Sequence, residues 1–141
     1  MKIGFVGAGN MGQAILKGLI ASGFSKDDLL AVTKTLETSK KISQEFKINA
    51  SNDIKTIKDC DVVFLGVKPQ NISEVLPEIK INLKNDALLI SLAVGIKTEN
   101  IEKIFDNKVK VVRAMPNTPA LVGKGVTGLA KGANATENDL E

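Results

Sequence analysis

A chain of 141 residues with 43% hydrophobic and 25% charged side chains fits one domain that can bury a core. The net charge of +3 comes from dispersed lysines without interleaved aromatic residues, which argues against nucleic-acid binding. No apolar run is long enough to span a membrane and no signal sequence opens the chain, so we expect a cytoplasmic protein. The chain has no histidine and one cysteine, so we expect neither a metal site nor an internal disulfide.

The first 23 residues predict a strand, a glycine-rich turn and a helix. Residues 2–6 form a short apolar run, which is typical of a strand buried on both faces. Three glycines follow at GxGxxG spacing: Gly7, Gly9 and Gly12. The helix after them carries one apolar stripe, formed by Met11, Ile15, Leu16, Leu19 and Ile20. Gly23 suits a left-handed position that ends this helix.

This pattern favours a dinucleotide-binding turn. Gly7 permits the tight bend, Gly9 leaves room for a pyrophosphate, and Gly12 lets the helix pack against the strand. The N-terminus of the helix presents free N–H groups and its positive dipole end to the phosphates. Glycines also mark ordinary turns, but a strand directly before them and a helix directly after them favour the binding function.

The rest of the chain alternates strands and helices. Further strands are predicted at residues 29–32, 48–50, 62–67, 87–92, 109–114 and 126–130. Helices are predicted at residues 36–46, at 72–83, and from an N-cap at Thr98 to residue 104. Either Ser51 or Asn52 is expected to cap the turn after the third strand, and Cys60 is expected to be a buried structural thiol.

This alternation predicts an α/β fold of the Rossmann type. We expect a doubly wound, mainly parallel sheet with helices on both faces and the strand order 3-2-1-4-5-6. Residues 1–130 form the predicted dinucleotide-binding domain. Residues 131–141 are polar and are expected to be a connector toward a further domain.

The loop after the second strand favours NADP. An NAD site usually has Asp or Glu about 20 residues past the glycines, where it binds the ribose 2′-hydroxyl. This chain instead has Thr33 and Thr35 on either side of Lys34, which suits a 2′-phosphate. The alternative is an exposed loop in a chain that already has many lysines.

Three later loops are further candidates, because ligands bind beyond the carboxyl ends of the strands in such sheets. Residues 66–69 end in a rigid proline, and the small residues 92–95 would let a nicotinamide ring lie close to the backbone. In residues 113–125, RAMPNTPALVGKG, Asn117 and Thr118 offer polar groups to the cleft. Each segment is also compatible with a purely structural turn, and for Asn117 and Thr118 the residues alone leave the two interpretations even.

Four segments together resemble the pyrroline-5-carboxylate reductase family, which catalyses the last step of proline synthesis. They are IGFVGAGNMG (residues 3–12), DVVFLGVKPQ (61–70), SLAVGI (91–96) and VRAMPNTPALVGKGVTGL (112–129). The resemblance implies hydride transfer from NADPH, or from NADH, to C5 of the cyclic imine 1-pyrroline-5-carboxylate, giving L-proline.

The resemblance also implies site residues along the whole chain. The pyrophosphate site would comprise Val6, Gly7, Ala8, Gly9, Asn10, Met11 and Gly12. The 2′-phosphate would contact Thr33 and Lys34, and the adenosine would lie near Asn52. The dinucleotide would then pass Val67, Lys68 and Pro69, and its nicotinamide would lie near Ala93, Val94 and Gly95. The reacting ring would be bordered by Asn117 and Thr118. Val94 departs from the family, which more often has alanine at this position.

Family members continue into a helical C-terminal domain that forms the dimer and supplies much of the substrate pocket. The chain ends where that domain would begin, so we expect it to bind a dinucleotide but to reduce the imine poorly. We expect the complete protein to be a homo-oligomer. The alternatives are a related NADP-linked reductase or hydroxyacid dehydrogenase, and a nucleotide-sensing module without catalytic activity.

Overall fold

A seven-stranded sheet with α-helices on both faces organises the molecule, and the computed structural model describes residues 1–141. The strands are β1 (Ile3–Val6), β2 (Leu29–Val32), β3 (Asn49–Ser51), β4 (Val62–Leu65), β5 (Leu88–Ser91), β6 (Lys110–Pro116) and β7 (Thr127–Lys131). The α-helices are α1 (Asn10–Ala21), α2 (Leu36–Phe46), α3 (Ile72–Asn82) and α4 (Thr98–Ile104). None of the helices is both long enough and apolar enough to cross a membrane.

The strand order confirms the predicted doubly wound topology. The order is β3-β2-β1-β4-β5-β6-β7, in which β1 to β6 run parallel and β7 pairs antiparallel with β6. The chain therefore moves outward from β1 in one direction through β2 and β3. It then returns to the other side of β1 and moves outward through β4, β5 and β6.

Alternating side chains of the central strands build one core on each face of the sheet. On one face, Phe5 of β1 packs with Leu16 of α1 and Phe46 of α2. On the other face, Leu65 of β4 packs with Leu76 of α3, in a cluster that also contains residues of α4. Four of these five side chains are at most 1% exposed, which confirms that the predicted apolar runs are buried.

Several element boundaries differ from the predicted ones by one or two residues. The strand predicted through residue 67 ends at Leu65, and the Gly66 N–H donates one more bond toward β1, to the Val6 carbonyl (2.8 Å). Helix α4 has Lys97 at its N-cap position, and Thr98, the predicted cap, is its first residue. The predicted end of α1 is confirmed, with Gly23 in a left-handed conformation at φ +91°.

The turn after β3 is capped by Ser51, one of the two predicted residues, and the 3-10 helix that follows is capped by Asp53. The Ser51 hydroxyl accepts from the Asp53 N–H (3.0 Å), as expected for a residue that caps this turn. The N-cap of the 3-10 helix that follows is Asp53, whose carboxylate accepts from the Lys55 N–H (3.0 Å). Asn52 makes neither capping bond, so its side chain remains available.

The single cysteine is a structural thiol, as predicted. Cys60 is 2% exposed, and a Cβ on Gly4 would lie 2.9 Å from its sulfur, so the space around the thiol is filled. Burial, with smaller contributions from the Asp59 and Asp61 carboxylates, raises the pKa of the Cys60 thiol to about 11. The thiol is therefore protonated, and a poor nucleophile, near neutral pH.

The polar segment after β7 packs against β6 and α4. The Gly132 N–H donates to the Val111 carbonyl (2.7 Å), and the Ala133 N–H donates to the buried carboxylate of Glu102 (2.6 Å). Ala135 is also buried. This segment is thus docked on the sheet edge, while its function as a connector stays a prediction.

Candidate functional site

The loops after β1 to β6 lie together at one edge of the sheet. The last residues of β1, β2, β4 and β5 are in register: Val6 pairs with Val32 and with Leu65, and Leu65 pairs with Ser91. Ser91 pairs with Arg113, and β6 continues beyond this point to Pro116. The strand order runs outward from β1 to β3 on one side of the sheet and from β4 to β6 on the other side. The topological switch point therefore lies between the carboxyl ends of β1 and β4. Open α/β sheets bind their ligands at such a point. The structure thus brings together all the loops that the sequence predicted.

The turn between β1 and α1 has the features of an anion-binding site. Gly7 has φ +80° and donates its N–H to the Val32 carbonyl (2.9 Å), and Gly9 at the N-cap of α1 has no side chain to cap the helix. Four successive N–H groups donate to no acceptor in the chain: those of Gly9, Asn10, Met11 and Gly12. A Cβ on Gly9 would have no atom within 4 Å, so the space beside it is open. Free donors at the positive end of a helix dipole attract phosphate groups.

Gly66, which the sequence analysis included in the candidate loop 66–69 without a function of its own, lies against this turn. A Cβ on Gly7 would lie 2.8 Å from the carbonyl carbon of Gly66 and 2.8 Å from the nitrogen of Val67. A Cβ on Gly66 would in turn collide with the Gly7 carbonyl oxygen. The two loops therefore touch through the backbone of Gly7, Gly66 and Val67, with the Val67 side chain also against Gly7. A glycine inside a predicted strand is a signal of such a close approach, and it could have identified this contact.

Gln13 makes a second contact with this turn that the sequence analysis missed. Its side chain lies on the first turn of α1, and its Nε2 donates to the Ala8 carbonyl (2.9 Å). Its backbone N–H donates to the Gly9 carbonyl (2.9 Å). No sequence signal identifies this contact, because it depends on how the turn folds back over the helix.

The loop after β2 presents a lysine but not the predicted pair of hydroxyls. The Thr33 hydroxyl is buried, donates to the Thr35 carbonyl (2.9 Å) and lies 2.6 Å from the hydroxyl of Ser39. The Thr35 hydroxyl caps α2 by accepting from the Thr38 N–H (3.2 Å). Lys34 is exposed and makes no ion pair in the chain. Among these side chains, only that of Lys34 makes no hydrogen bond or ion pair within the chain.

The loops after β3 and β4 contribute exposed polar groups beside the turn. Asn52 is exposed directly after β3. Val67 packs against the core, and Lys68 is exposed and makes no ion pair. Pro69 begins a short 3-10 helix that leads into α3. The lysine thus adds positive charge to the edge at which the four free N–H groups lie.

The loop after β5 is narrow, with one protruding apolar side chain. Ala93 is 4% exposed, and its N–H donates to the Ser91 hydroxyl (3.3 Å). Gly95 has φ +77°, which bends the chain back toward α4. Val94 lies between them and is 81% exposed. The loop therefore offers a small apolar surface to a planar ring.

Asn117 closes the loop between β6 and β7. Its side-chain Oδ1 accepts from the Val126 N–H (2.9 Å), and its backbone N–H donates to the Val126 carbonyl (3.2 Å). Thr118 is exposed at the start of the 3-10 helix that follows. Both residues lie at the carboxyl end of β6, where the prediction placed them, and Asn117 also has the structural function that the alternative interpretation proposed.

Acidic groups with lowered pKa values lie at the opposite edge of the sheet. Hydrogen bonds from the Lys84 ammonium (2.5 Å) and the Lys2 N–H (2.8 Å) lower the pKa of Asp61. A hydrogen bond from Lys80 (2.7 Å) lowers the pKa of Asp106. These carboxylates form structural ion pairs and do not serve as acid–base groups at the candidate site.

The topology and the glycine-rich turn define an open α/β domain of the Rossmann type. Residues 2–95, more than half of the chain, match the family described as "NADP oxidoreductase coenzyme F420-dependent". The chain belongs to this family.

Relatives with known names agree with the predicted resemblance. The chain is 39% identical over 140 residues to pyrroline-5-carboxylate reductase of Escherichia coli, and the match covers 98% of this chain and 52% of that protein. It is 33% identical to the enzyme of the same name from Arabidopsis thaliana, with 98% and 50% covered. The chain spans about half the length of these relatives.

Solved structures show the same relationship. A pyrroline-5-carboxylate reductase from Coxiella burnetii superposes with a TM-score of 0.92 at 35% identity, covering 99% of this chain and 52% of that one. The Plasmodium falciparum pyrroline carboxylate reductase, whose structure has NADP bound, gives a TM-score of 0.85 at 29% identity, covering 99% and 51%. The predicted fold class and the predicted resemblance are both confirmed.

Proposed function

We propose that this chain is the NADPH-binding domain of a pyrroline-5-carboxylate reductase. The observation that carries the proposal is the set of four free N–H groups beside an open Gly9, at the switch point of the sheet. The relatives support the choice of reaction, and the NADP in the Plasmodium structure supports the choice of cofactor. NADH is the alternative cofactor.

The proposed cofactor extends along the carboxyl edge of the sheet. Its pyrophosphate lies on the turn formed by Val6, Gly7, Ala8, Gly9, Asn10, Met11 and Gly12, where the free N–H groups match its charge. Its 2′-phosphate lies at Lys34, with Thr33 shaping the loop from inside and Asn52 near the adenosine. The remaining contacts are with Val67, Lys68 and Pro69.

The nicotinamide end lies at the narrow loop of Ala93, Val94 and Gly95, with Asn117 and Thr118 on the substrate side. When bound, NADPH supplies the hydride that C5 of the cyclic imine accepts. A protonated imine is a strong hydride acceptor, so the positions of the two reactants account for much of the catalysis. The contribution of this chain is to hold the donor in a fixed place and to exclude water with the apolar surface of Val94.

The complete enzyme, in this proposal, has a second domain. Residues 1–130 form the dinucleotide-binding domain, and residues 131–141 connect it to a C-terminal helical domain through which the protein forms a homo-oligomer. The matched relatives support this arrangement, because they are about twice as long as the chain. Cytoplasmic location remains a prediction from the sequence.

The proposal predicts that the 141-residue chain binds NADPH but forms little proline. Binding is followed by the fluorescence of the nicotinamide during titration, and proline formation is assayed with 1-pyrroline-5-carboxylate. The absence of saturable binding would contradict the proposed site. Proline formation at rates typical of an enzyme would contradict the need for a second domain. A second assay joins the chain to the C-terminal half of a relative and compares imine with hydroxyacid substrates. Reduction of the imine supports a pyrroline-5-carboxylate reductase, whereas turnover of a hydroxyacid supports a related dehydrogenase.

Replacement of Lys34 by alanine is expected to weaken NADPH binding about tenfold and to leave NADH binding unchanged. A lysine–phosphate contact is a charge-assisted hydrogen bond, and its loss at an exposed site costs about 1.4 kcal/mol. The matched control is Lys40→Ala, because Lys40 is also exposed but lies on α2 without an ion pair. Equal losses for NADPH and NADH would show that Lys34 does not recognise the 2′-phosphate.

A further inference from the structure

We propose that Gln13 is a positioning residue that sets the direction of the peptide between Ala8 and Gly9, so that the Gly9 N–H faces the pyrophosphate. This inference rests on the proposed dinucleotide site and identifies the residue that keeps the site ready for its ligand. Gln13 is half-buried on the first turn of α1 and was not among the predicted site residues.

The geometry follows from one hydrogen bond and the shape of a peptide group. The Gln13 Nε2 donates to the Ala8 carbonyl (2.9 Å), which fixes that oxygen on the side of the helix. In a planar trans peptide the C=O and the N–H point in opposite directions. The Gly9 N–H, which belongs to the same peptide, therefore points away from Gln13. This N–H has no acceptor in the chain.

Ala8 packs against the core on this face of the sheet, but no other hydrogen bond in the chain holds the Ala8–Gly9 peptide. A Cβ on Gly9 would have no neighbour within 4 Å, and glycine itself rotates more freely than other residues. The Gly9 carbonyl is held by the Gln13 N–H (2.9 Å), so rotation of the Ala8–Gly9 peptide is the remaining freedom of the turn. A rotated peptide would present the Ala8 oxygen to the phosphates and replace an attraction by a repulsion.

The test replaces Gln13 by methionine, which has a similar length but cannot donate a hydrogen bond. Loss of one N–H contact to a charged group is expected to weaken NADPH binding about tenfold or more. Adenosine 2′-monophosphate has no pyrophosphate, so its affinity is expected to be unchanged. The matched control is Gln44→Met, because Gln44 is exposed on α2 and makes no hydrogen bond through its side chain in the chain. Both variants are expected to have similar melting temperatures.

A second readout needs no ligand. The amide resonance of Gly9 is expected to shift in ligand-free Gln13→Met and to stay in place in Gln44→Met. The inference would be overturned by an unshifted Gly9 resonance, by wild-type affinity for NADPH, or by an equal loss of affinity for adenosine 2′-monophosphate. Failure of the wild-type chain to bind NADPH would instead overturn the proposed function, and this inference with it.

Discussion

Replacement of Gly9 by alanine is expected to weaken NADPH binding about a hundredfold while the melting temperature changes little, because the poorer helix cap offsets the lower entropy of the unfolded chain. The added Cβ meets no protein atom within 4 Å, and the φ of −74° at Gly9 is one that alanine adopts readily. The same Cβ occupies the space that the pyrophosphate needs beside the free N–H groups. Two charge-assisted hydrogen bonds lost at about 1.5 kcal/mol each correspond to this factor.

The matched control for this variant is Gly18→Ala on the same helix. A Cβ on Gly18 also meets no atom within 4 Å, but Gly18 lies about two and a half turns along α1 from Gly9. Alanine there is expected to stabilise α1 by about 1 kcal/mol and to leave the Kd for NADPH unchanged. Titration with NADPH measures the affinity of both variants, and thermal unfolding measures their stability. Wild-type affinity in Gly9→Ala would show that the ligand does not approach this turn.

Replacement of Gly66 by alanine is expected to reduce both stability and binding. A Cβ on Gly66 collides with the Gly7 carbonyl oxygen, which is backbone and has no rotamer through which to move away. Strain of this kind in a packed region costs about 1–3 kcal/mol. Relief of the strain moves the turn that holds the pyrophosphate, so the affinity for NADPH falls as well. Urea unfolding measures the first effect and titration with NADPH the second.

Gly128→Ala is the control for this pair of measurements. Gly128 lies on β7, and the nearest atom to its added Cβ is the Met115 methyl group at 3.7 Å, an ordinary contact distance. This variant is expected to retain both the stability and the affinity of the wild type. If Gly66→Ala behaved like Gly128→Ala, the backbone contact between the loops of β1 and β4 would not constrain the turn.

The topology of the sheet was predictable because its signals are local. Short apolar runs marked the strands, and the alternation with helical stripes required parallel crossovers. The spacing of Gly7, Gly9 and Gly12 placed the turn at the start of α1, and the structure shows free N–H groups there. Each of these signals depends on neighbours in sequence, so one chain without relatives was sufficient to identify them.

The supporting contacts of the site were not predictable in the same way. The contact of Gly66 with Gly7 joins segments about 60 residues apart, and only the register of β1 with β4 brings them together. The direction in which a side chain points was equally difficult to predict. The sequence shows that Thr33 has a hydroxyl, but not that Ser39 and the Thr35 carbonyl draw it into the interior.

Asn117 shows how one residue supports two interpretations. Its position after β6 suggested a contact with substrate, whereas its hydrogen bonds with Val126 fix the start of β7. Sequence alone does not choose between these functions, because Asn is common both in turns and in binding loops. The contact with substrate stays a prediction.

The most direct test of the central claim is a crystal structure of this chain grown with NADPH. The account predicts pyrophosphate oxygens at hydrogen-bond distance, about 2.7–3.2 Å, from the backbone nitrogens of residues 9–12, with Gly9 beside the bridging phosphates. A dinucleotide bound at another surface, with these four N–H groups left without a phosphate, would contradict it.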